Sequence, residues 1–148
     1  MTIHFKTITI IGVGLIGGSF GRVCKKKGLA DRIIGFGRDE GNLKRALELN
    51  VIDLYSLNLR DAVAESDFIL LATPVSTIIK IAKDMIPYLK KGVIITDAGS
   101  VKGEIVRVID EILPEGVFFV GAHPVAGTEK SGVEASFADL FVGSRCII

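Results

Sequence analysis

Near its start the chain runs Thr7-Ile8-Thr9-Ile10-Ile11, then Gly12-Val13-Gly14-Leu15-Ile16-Gly17-Gly18-Ser19, and then an amphipathic stretch reaching Lys27. A Gly-x-Gly-x-x-Gly spacing alone constrains little. Set between an apolar strand and a helix, it prescribes a tight turn that opens a βαβ unit. Gly12 permits the turn, Gly14 lets a pyrophosphate approach the backbone, and Gly17 lets the helix lie close to the strand. The free N–H groups of the helix start, around Leu15 and Ile16, then face the phosphates. The alternative is a glycine-rich turn that packs a helix on a sheet and binds nothing.

The rest of the chain repeats the same alternation. Apolar runs at Thr7–Ile11, Arg32–Phe36, Leu54–Ser56, Phe68–Ala72, Val93–Thr96, Val117–Val120 and Arg145–Ile148 predict strands. Amphipathic stretches at Leu15–Lys27, Glu40–Asn50, Val75–Met85 and Val101–Leu113 predict helices, with a short helical turn around Asp61–Glu65. Gly28, Gly92, Gly116 and Pro114 fall where helices should stop, and Pro87 breaks the Val75 helix near its end. This pattern predicts an α/β fold: a Rossmann-type, doubly wound, mostly parallel sheet with helices on both faces, one domain over 1–148. A mean hydropathy of +0.48 agrees with strands covered on both sides, and Val117–Val120 reads as a buried strand. The run Ser144-Arg145-Cys146-Ile147-Ile148 also reads as a strand, so the chain is expected to be the N-terminal part of a longer protein.

Charge excludes some partners. With 18 basic and 17 acidic residues the net charge is +1, which gives no electrostatic reason to expect nucleic acid or an anionic membrane. Lys25-Lys26-Lys27 reads as a solvated helix end, where cations suit the dipole. Cys24 and Cys146 are too few and too far apart for a metal or disulfide framework, and each reads as a small core residue. No apolar run approaches the ~18 residues that span a bilayer, and no signal peptide is visible. A soluble cytoplasmic protein without a metal is the expectation.

Four strand ends carry the candidate site. At the second, Phe36-Gly37-Arg38-Asp39 places a glycine where an acid would bind both ribose hydroxyls of NAD. Gly37 removes repulsion against a 2′-phosphate and Arg38 offers paired hydrogen bonds to it, which favours NADP over NAD. In the competing reading, Asp39 still reaches the ribose or Arg38 stacks on adenine. The other three ends are Ala72-Thr73-Pro74-Val75, Asp97-Ala98-Gly99-Ser100-Val101-Lys102 and Gly121 to Gly132, expected to converge on one crevice around the nicotinamide. Thr73, Pro74 and Ser100 are candidate cofactor contacts, although Ser100 also reads as the N-cap of the following helix. His123, just past a strand end and fixed by Pro124, is the candidate proton acceptor; the plainer reading is a structural histidine.

The segments Asp97-Ala98-Gly99-Ser100-Val101-Lys102-Gly103 and Gly121-Ala122-His123-Pro124-Val125-Ala126-Gly127-Thr128-Glu129-Lys130-Ser131-Gly132 resemble the prephenate/arogenate dehydrogenase family of tyrosine biosynthesis. The loop Ile11 to Ser19 is similar to that family's N-terminal loop, so the resemblance covers nearly the whole chain. It implies an NAD(P)-dependent oxidative decarboxylation of prephenate or arogenate. His123 would assist loss of the hydroxyl proton, and Ser100 would orient that hydroxyl and the histidine. Gly127, Thr128 and Glu129 would line or gate the substrate site, Glu129 through an ionic contact whose partner is missing here; otherwise Glu129 is a solvated loop charge. The resemblance further implies a helical C-terminal domain that forms a homodimer and supplies an arginine for the substrate carboxylate, and that domain is absent from this chain. Two rivals remain: another Rossmann dehydrogenase of the β-hydroxyacid type, and a non-catalytic NAD(P)-sensing module.

Overall fold

Alternating apolar faces in Thr7–Ile11 require cover on both sides, and the architecture supplies it. The computed structural model describes residues 2–148. In chain order the elements are β1 (Phe5–Ile11), α1 (Leu15–Lys26), β2 (Ala30–Phe36), α2 (Glu40–Glu48), β3 (Leu54–Ser56), α3 (Leu59–Val63) and β4 (Phe68–Leu71). There follow α4 (Val75–Met85), β5 (Ile94–Asp97), α5 (Lys102–Ile112), β6 (Phe118–Val120), β7 (His123–Val125) and β8 (Arg145–Ile147). The first six strands form one parallel sheet in the order β3-β2-β1-β4-β5-β6. The chain therefore winds outward from β1 in one direction and then crosses to wind outward in the other. That reversal leaves a crevice at the carboxyl ends of β1 and β4.

Strand side chains alternate between the two faces. Ile11, Ile69, Leu71 and Ile95 pack with Ile78 and Met85 of α4 and with Ile105 and Ile109 of α5. Ile8, Ile10, Ile33 and Leu70 pack on the opposite face with Cys24 of α1 and Leu43 of α2. Burial pushes the Cys24 thiol up to about 12, so it sits in the core as an un-ionised apolar group. Buried Thr9 avoids an orphaned hydroxyl by donating to the Ala62 carbonyl at 2.7 Å. Gly28, Gly92 and Gly116 all adopt positive φ at the stops expected for them.

Several boundaries and environments differ from expectation. The run Val117–Val120 is not a buried strand: Phe118 and Val120 are 57% and 45% exposed. It forms the sheet edge, and α5 covers only the face carrying Val117 and Phe119. The segment at His123 is itself a strand, β7, paired antiparallel with β8 in a separate two-stranded sheet. Arg145–Ile147 thus lies outside the main sheet, and Cys146 is exposed rather than core. The Glu40 helix ends at Glu48, because Asn50 takes the left-handed conformation (φ 57°). The short helix begins at Leu59, where Asn58 caps it by accepting from the Asp61 N–H.

Between β7 and β8 the chain crosses back over α1 and α2. Val133 is buried in the core, and Ser19 Oγ accepts from the Phe137 N–H at 3.0 Å. Arg22 donates to Ser136 Oγ at 2.8 Å, and Arg45 pairs with Glu134 at 2.9 Å. Gly18 lies beneath this strap, where an added Cβ would come within 2.9 Å of Ser136 Cβ. None of the described helices is long and apolar enough to cross a membrane, and no group of metal-ligating side chains occurs among the described residues.

Candidate active site

The glycines of the first loop do three different jobs. Gly12 has φ 94°, and a Cβ there would press within 2.8 Å of the Ala72 carbonyl group. At Gly17 a Cβ would fall 2.0 Å from the Gly12 carbonyl oxygen, so helix and loop touch backbone to backbone. Gly14 has open space where its Cβ would be, and it opens α1 with no side-chain cap. The first-turn N–H groups of Leu15 and Ile16 therefore have no intrahelical acceptor, beside a turn open at the Gly14 Cβ position.

Thr73 lies against the same turn. Its methyl lies 3.0 Å from the Cβ position of Gly12, and its buried Oγ1 has no hydrogen-bond partner. A buried hydroxyl without a partner costs free energy unless a ligand satisfies it. Pro74 follows at the N-cap of α4, which likewise has no side-chain cap. An open glycine turn, uncapped amides and an orphaned hydroxyl together fit a dinucleotide.

Across β1 lies the carboxyl end of β2, where the sequence places Gly37 and Arg38. Gly37 packs on Leu43, and Arg38 is exposed and unpaired among the described residues. Asp39 caps α2, its carboxylate accepting from the Asn42 N–H at 3.1 Å. One oxygen of Asp39 is thus already engaged, while Arg38 has its full donor set available.

The loop after β5 does not cap α5 as expected. Ser100 is exposed and lies one residue before the N-cap, Val101, and α5 starts at Lys102 without a side-chain cap. The residue organising this region is Asp97, the last residue of β5 and the first of the Asp97–Lys102 segment. It is 1% exposed. One oxygen accepts from the Gly99 N–H at 2.9 Å and pairs closely with Lys102. Its other oxygen accepts from the Ala122 N–H at 3.1 Å. A buried carboxylate with an ammonium and two amides around it is well compensated. Two of its three partners are main-chain groups, which have no sequence signature.

Ala122 immediately precedes His123, which is half-buried at the start of β7. The same carboxylate therefore ties the loop of Ser100 to the strand of His123. A cleft of about 370 Å³ lies alongside, walled by Ile16 and Phe20 of α1 and by Ala98, Ala122 and Pro124. Ala122 and Pro124 flank His123 in sequence, and His123 itself is not among the residues lining the cleft. Gly127, Thr128 and Glu129 are exposed on the segment after β7. Thr128 Oγ1 accepts from the Lys130 N–H at 3.1 Å, and Glu129 forms no ion pair among the described residues. The structure thus gathers Gly12, Gly14, Gly17 and Thr73 on one side of the carboxyl edge. Ser100 and His123 are joined through Asp97 on the other.

Residues 20–148 match the family model described as prephenate dehydrogenase, nucleotide-binding domain. The cyclohexadienyl dehydrogenase of Zymomonas mobilis is 42% identical over 137 residues, which is 93% of this chain and 46% of the relative. Prephenate dehydrogenase from A. aeolicus, solved with hydroxyphenyl propionate and NAD+, superposes with a TM-score of 0.90 at 36% identity, over 99% of this chain and 51% of that one. Arogenate dehydrogenase from Synechocystis gives 0.87 at 29% identity, over 95% and 48%. The chain spans about half the length of these relatives. The family match begins at Phe20, after the glycine loop, so it rests on the rest of the domain rather than on the Gly-x-Gly-x-x-Gly motif. The chain belongs to the prephenate dehydrogenase family, to which it contributes the nucleotide-binding domain.

Proposed function

We propose that this domain supplies the dinucleotide site and the proton acceptor of a dehydrogenase that oxidatively decarboxylates prephenate or arogenate in tyrosine biosynthesis. One observation carries the reading. A cradle fitting a dinucleotide lies at the carboxyl ends of β1 and β4, at the crossover of the parallel sheet, and a half-buried histidine follows the carboxyl end of β6, tied back to β5 through Asp97. The nicotinamide, when bound, supplies the acceptor for a hydride from C4 of the cyclohexadiene. His123 takes the proton of the C4 hydroxyl, which raises electron density at that carbon and eases departure of the hydride. Loss of CO2 then sends its bonding pair into the ring, which becomes aromatic as the C4 oxygen takes a proton back. Ser100 orients the hydroxyl, while Leu15 and Ile16 amides and Thr73 hold the cofactor. Gly37 and Arg38 favour NADP over NAD.

His123 is not one of the residues lining the apolar cleft, which is in keeping with a substrate site whose other wall is supplied from outside residues 1–148. A helical domain would supply that wall, an arginine for the substrate carboxylate, the gating partner of Glu129 and the homodimer contact. The relatives have the additional length for it. The protein is proposed to act in the cytoplasm.

Titrating NAD+ and NADP+ against the purified chain tests the cofactor reading. Tighter NADP+ binding is expected; a preference above tenfold for NAD+ overturns the assignment of Gly37 and Arg38. Turnover by the isolated 148-residue chain is expected to be negligible, and robust conversion of prephenate would sink the divided site. In the complete enzyme, His123→Asn should lower kcat by about 10²-fold to 10⁴-fold, the usual contribution of a positioned base.

A further inference from the structure

Along the carboxyl edge, neighbouring strands are joined by main-chain bonds at three consecutive seams. Gly12 N–H donates to the Phe36 carbonyl at 2.9 Å, Ala72 N–H to Ile11 at 2.8 Å, and Ala98 N–H to Leu71 at 3.0 Å. At the fourth seam, between β5 and β6, side chains replace that pattern. Thr96 Oγ1 donates to the Val120 carbonyl at 2.6 Å, and Asp97 accepts from the Ala122 N–H. Beyond Val120 the chain leaves the sheet to enter β7, so the Asp97 carboxylate is its last tie to the main sheet before His123.

We infer that Asp97 is the positioning residue of the reaction: its carboxylate fixes His123, through Ala122, relative to Ser100, through Gly99. The inference rests on the proposed roles of His123 and Ser100. Asp97 touches no reacting atom. Each of its oxygens holds a different segment, and the rigid carboxylate plane sets their separation. Lys102, partly buried, pairs with the carboxylate and offsets its charge. Asparagine has nearly the same shape but only one accepting atom, and its NH₂ cannot accept from a backbone N–H. Asp97→Asn must therefore release either the Gly99 or the Ala122 amide.

Three measurements test this together. In the complete enzyme, Asp97→Asn should lower kcat by about 100-fold, the effect of misplacing a catalytic group by an ångström or so. Nucleotide affinity should stay within about twofold, because the cradle is built on β1, α1 and β4. Loss of thermal stability with unchanged kcat per folded molecule would overturn the inference, since that is the signature of a purely structural carboxylate. In the unmodified 148-residue chain, hydrogen exchange followed by NMR should show the Gly99 and Ala122 amides both protected. A freely exchanging Ala122 amide would overturn it even if the variant fails to fold. His123→Asn is assayed alongside: full turnover there removes the role of His123 on which the inference depends, whereas lost turnover with a fully active Asp97→Asn refutes the positioning role alone.

Discussion

The seam between β1 and β4 and the seam between β5 and β6 do different kinds of work with different materials. At the first, main chain touches main chain: Ala72 donates to Ile11, Gly12 packs against Ala72, and the Gly12 carbonyl lies against Gly17. At the second, the main-chain ladder stops at Thr96 and Val120, and one buried carboxylate and one hydroxyl make the ties at the carboxyl end. A phosphate site needs amides presented in fixed positions, and backbone packed on backbone has no rotamers to lose. Proton transfer needs a side chain set at a working distance, and a carboxylate can set it without enclosing the space a substrate needs. The difference predicts that the first seam tolerates no added atom, while the second is sensitive to the loss of an acceptor.

The largest effect is expected at Gly17. A Cβ there would overlap the Gly12 carbonyl oxygen, and neither side of that contact is a movable side chain. Gly17→Ala should cost more than about 3 kcal/mol, at or beyond the usual range for overpacking. In thermal unfolding that corresponds to a fall of about 10 °C for a domain of this size, with nucleotide binding lost. A variant that melts like the parent and still binds would break the comparison, because the loop would then be deformable.

Gly14 separates packing from ligand approach. Nothing lies within 4 Å of its Cβ position and its φ is negative, so Gly14→Ala should leave the melting temperature unchanged. The added methyl would intrude where a pyrophosphate comes closest. An affinity loss of about tenfold, or ~1.4 kcal/mol, is expected by calorimetric titration. Unchanged affinity would place the phosphates elsewhere.

The two seams also differ in how far the sequence announces them. The glycine loop is legible because its three exacting positions, Gly12, Gly14 and Gly17, fall in one short stretch between a strand and a helix. The doubly wound class follows as readily, since seven apolar runs alternate with amphipathic helices, although the last of them pairs outside the main sheet. The second seam depends on partners far apart in the chain. Asp97 reaches Ala122 across 25 positions and binds its amide, which any residue would offer. Pairing of His123 with Ile147 is set by register between distant segments, and periodicity carries no information about it. The exposure of Phe118 and Val120 was hidden for a related reason: an apolar run reads the same whether or not anything covers its second face. Gly18 and Ser19 looked like extensions of the glycine motif, yet they make room for the strap at Ser136 and Phe137.

A smaller test uses the glycine that opens α5 on the second side. Gly103 lies in the first turn of that helix with nothing within 4 Å of its Cβ position. Gly103→Ala should therefore stabilise the domain by about 0.5–1 kcal/mol, by restricting the unfolded chain. A rise of roughly 2 °C in melting temperature is the expected reading. Set beside Gly17→Ala, the same chemical change would then have opposite signs at the starts of two helices in one sheet. A destabilising Gly103→Ala would mean that the second side is as tightly packed as the first.

The smallest effect comes from the opposite edge of the sheet, where neither seam has a site. Asp67, just before β4, accepts from the Thr7 N–H at 2.9 Å and pairs with Lys90 at 2.7 Å. The Lys90 contact above all, aided by main-chain donors, holds its carboxyl below the usual carboxylate range against the opposing effect of desolvation. A carboxyl with a depressed folded pKa adds stability that is present above the unfolded value of about 4 and disappears as pH falls through the folded value. Asp67→Asn should therefore lower the melting temperature by a degree or two near neutral pH, as expected of a partly exposed pair worth about 0.2–1 kcal/mol. The two melting curves should converge as the solution is acidified below about pH 4. Nucleotide affinity at pH 7 should be identical in the two proteins, since β1 and β4 remain joined at the carboxyl edge by the Ala72–Ile11 bond. Curves that stay parallel into acid would remove Asp67 as a titrating contributor. A loss of affinity would show that the first seam depends on contacts along the whole length of its strands.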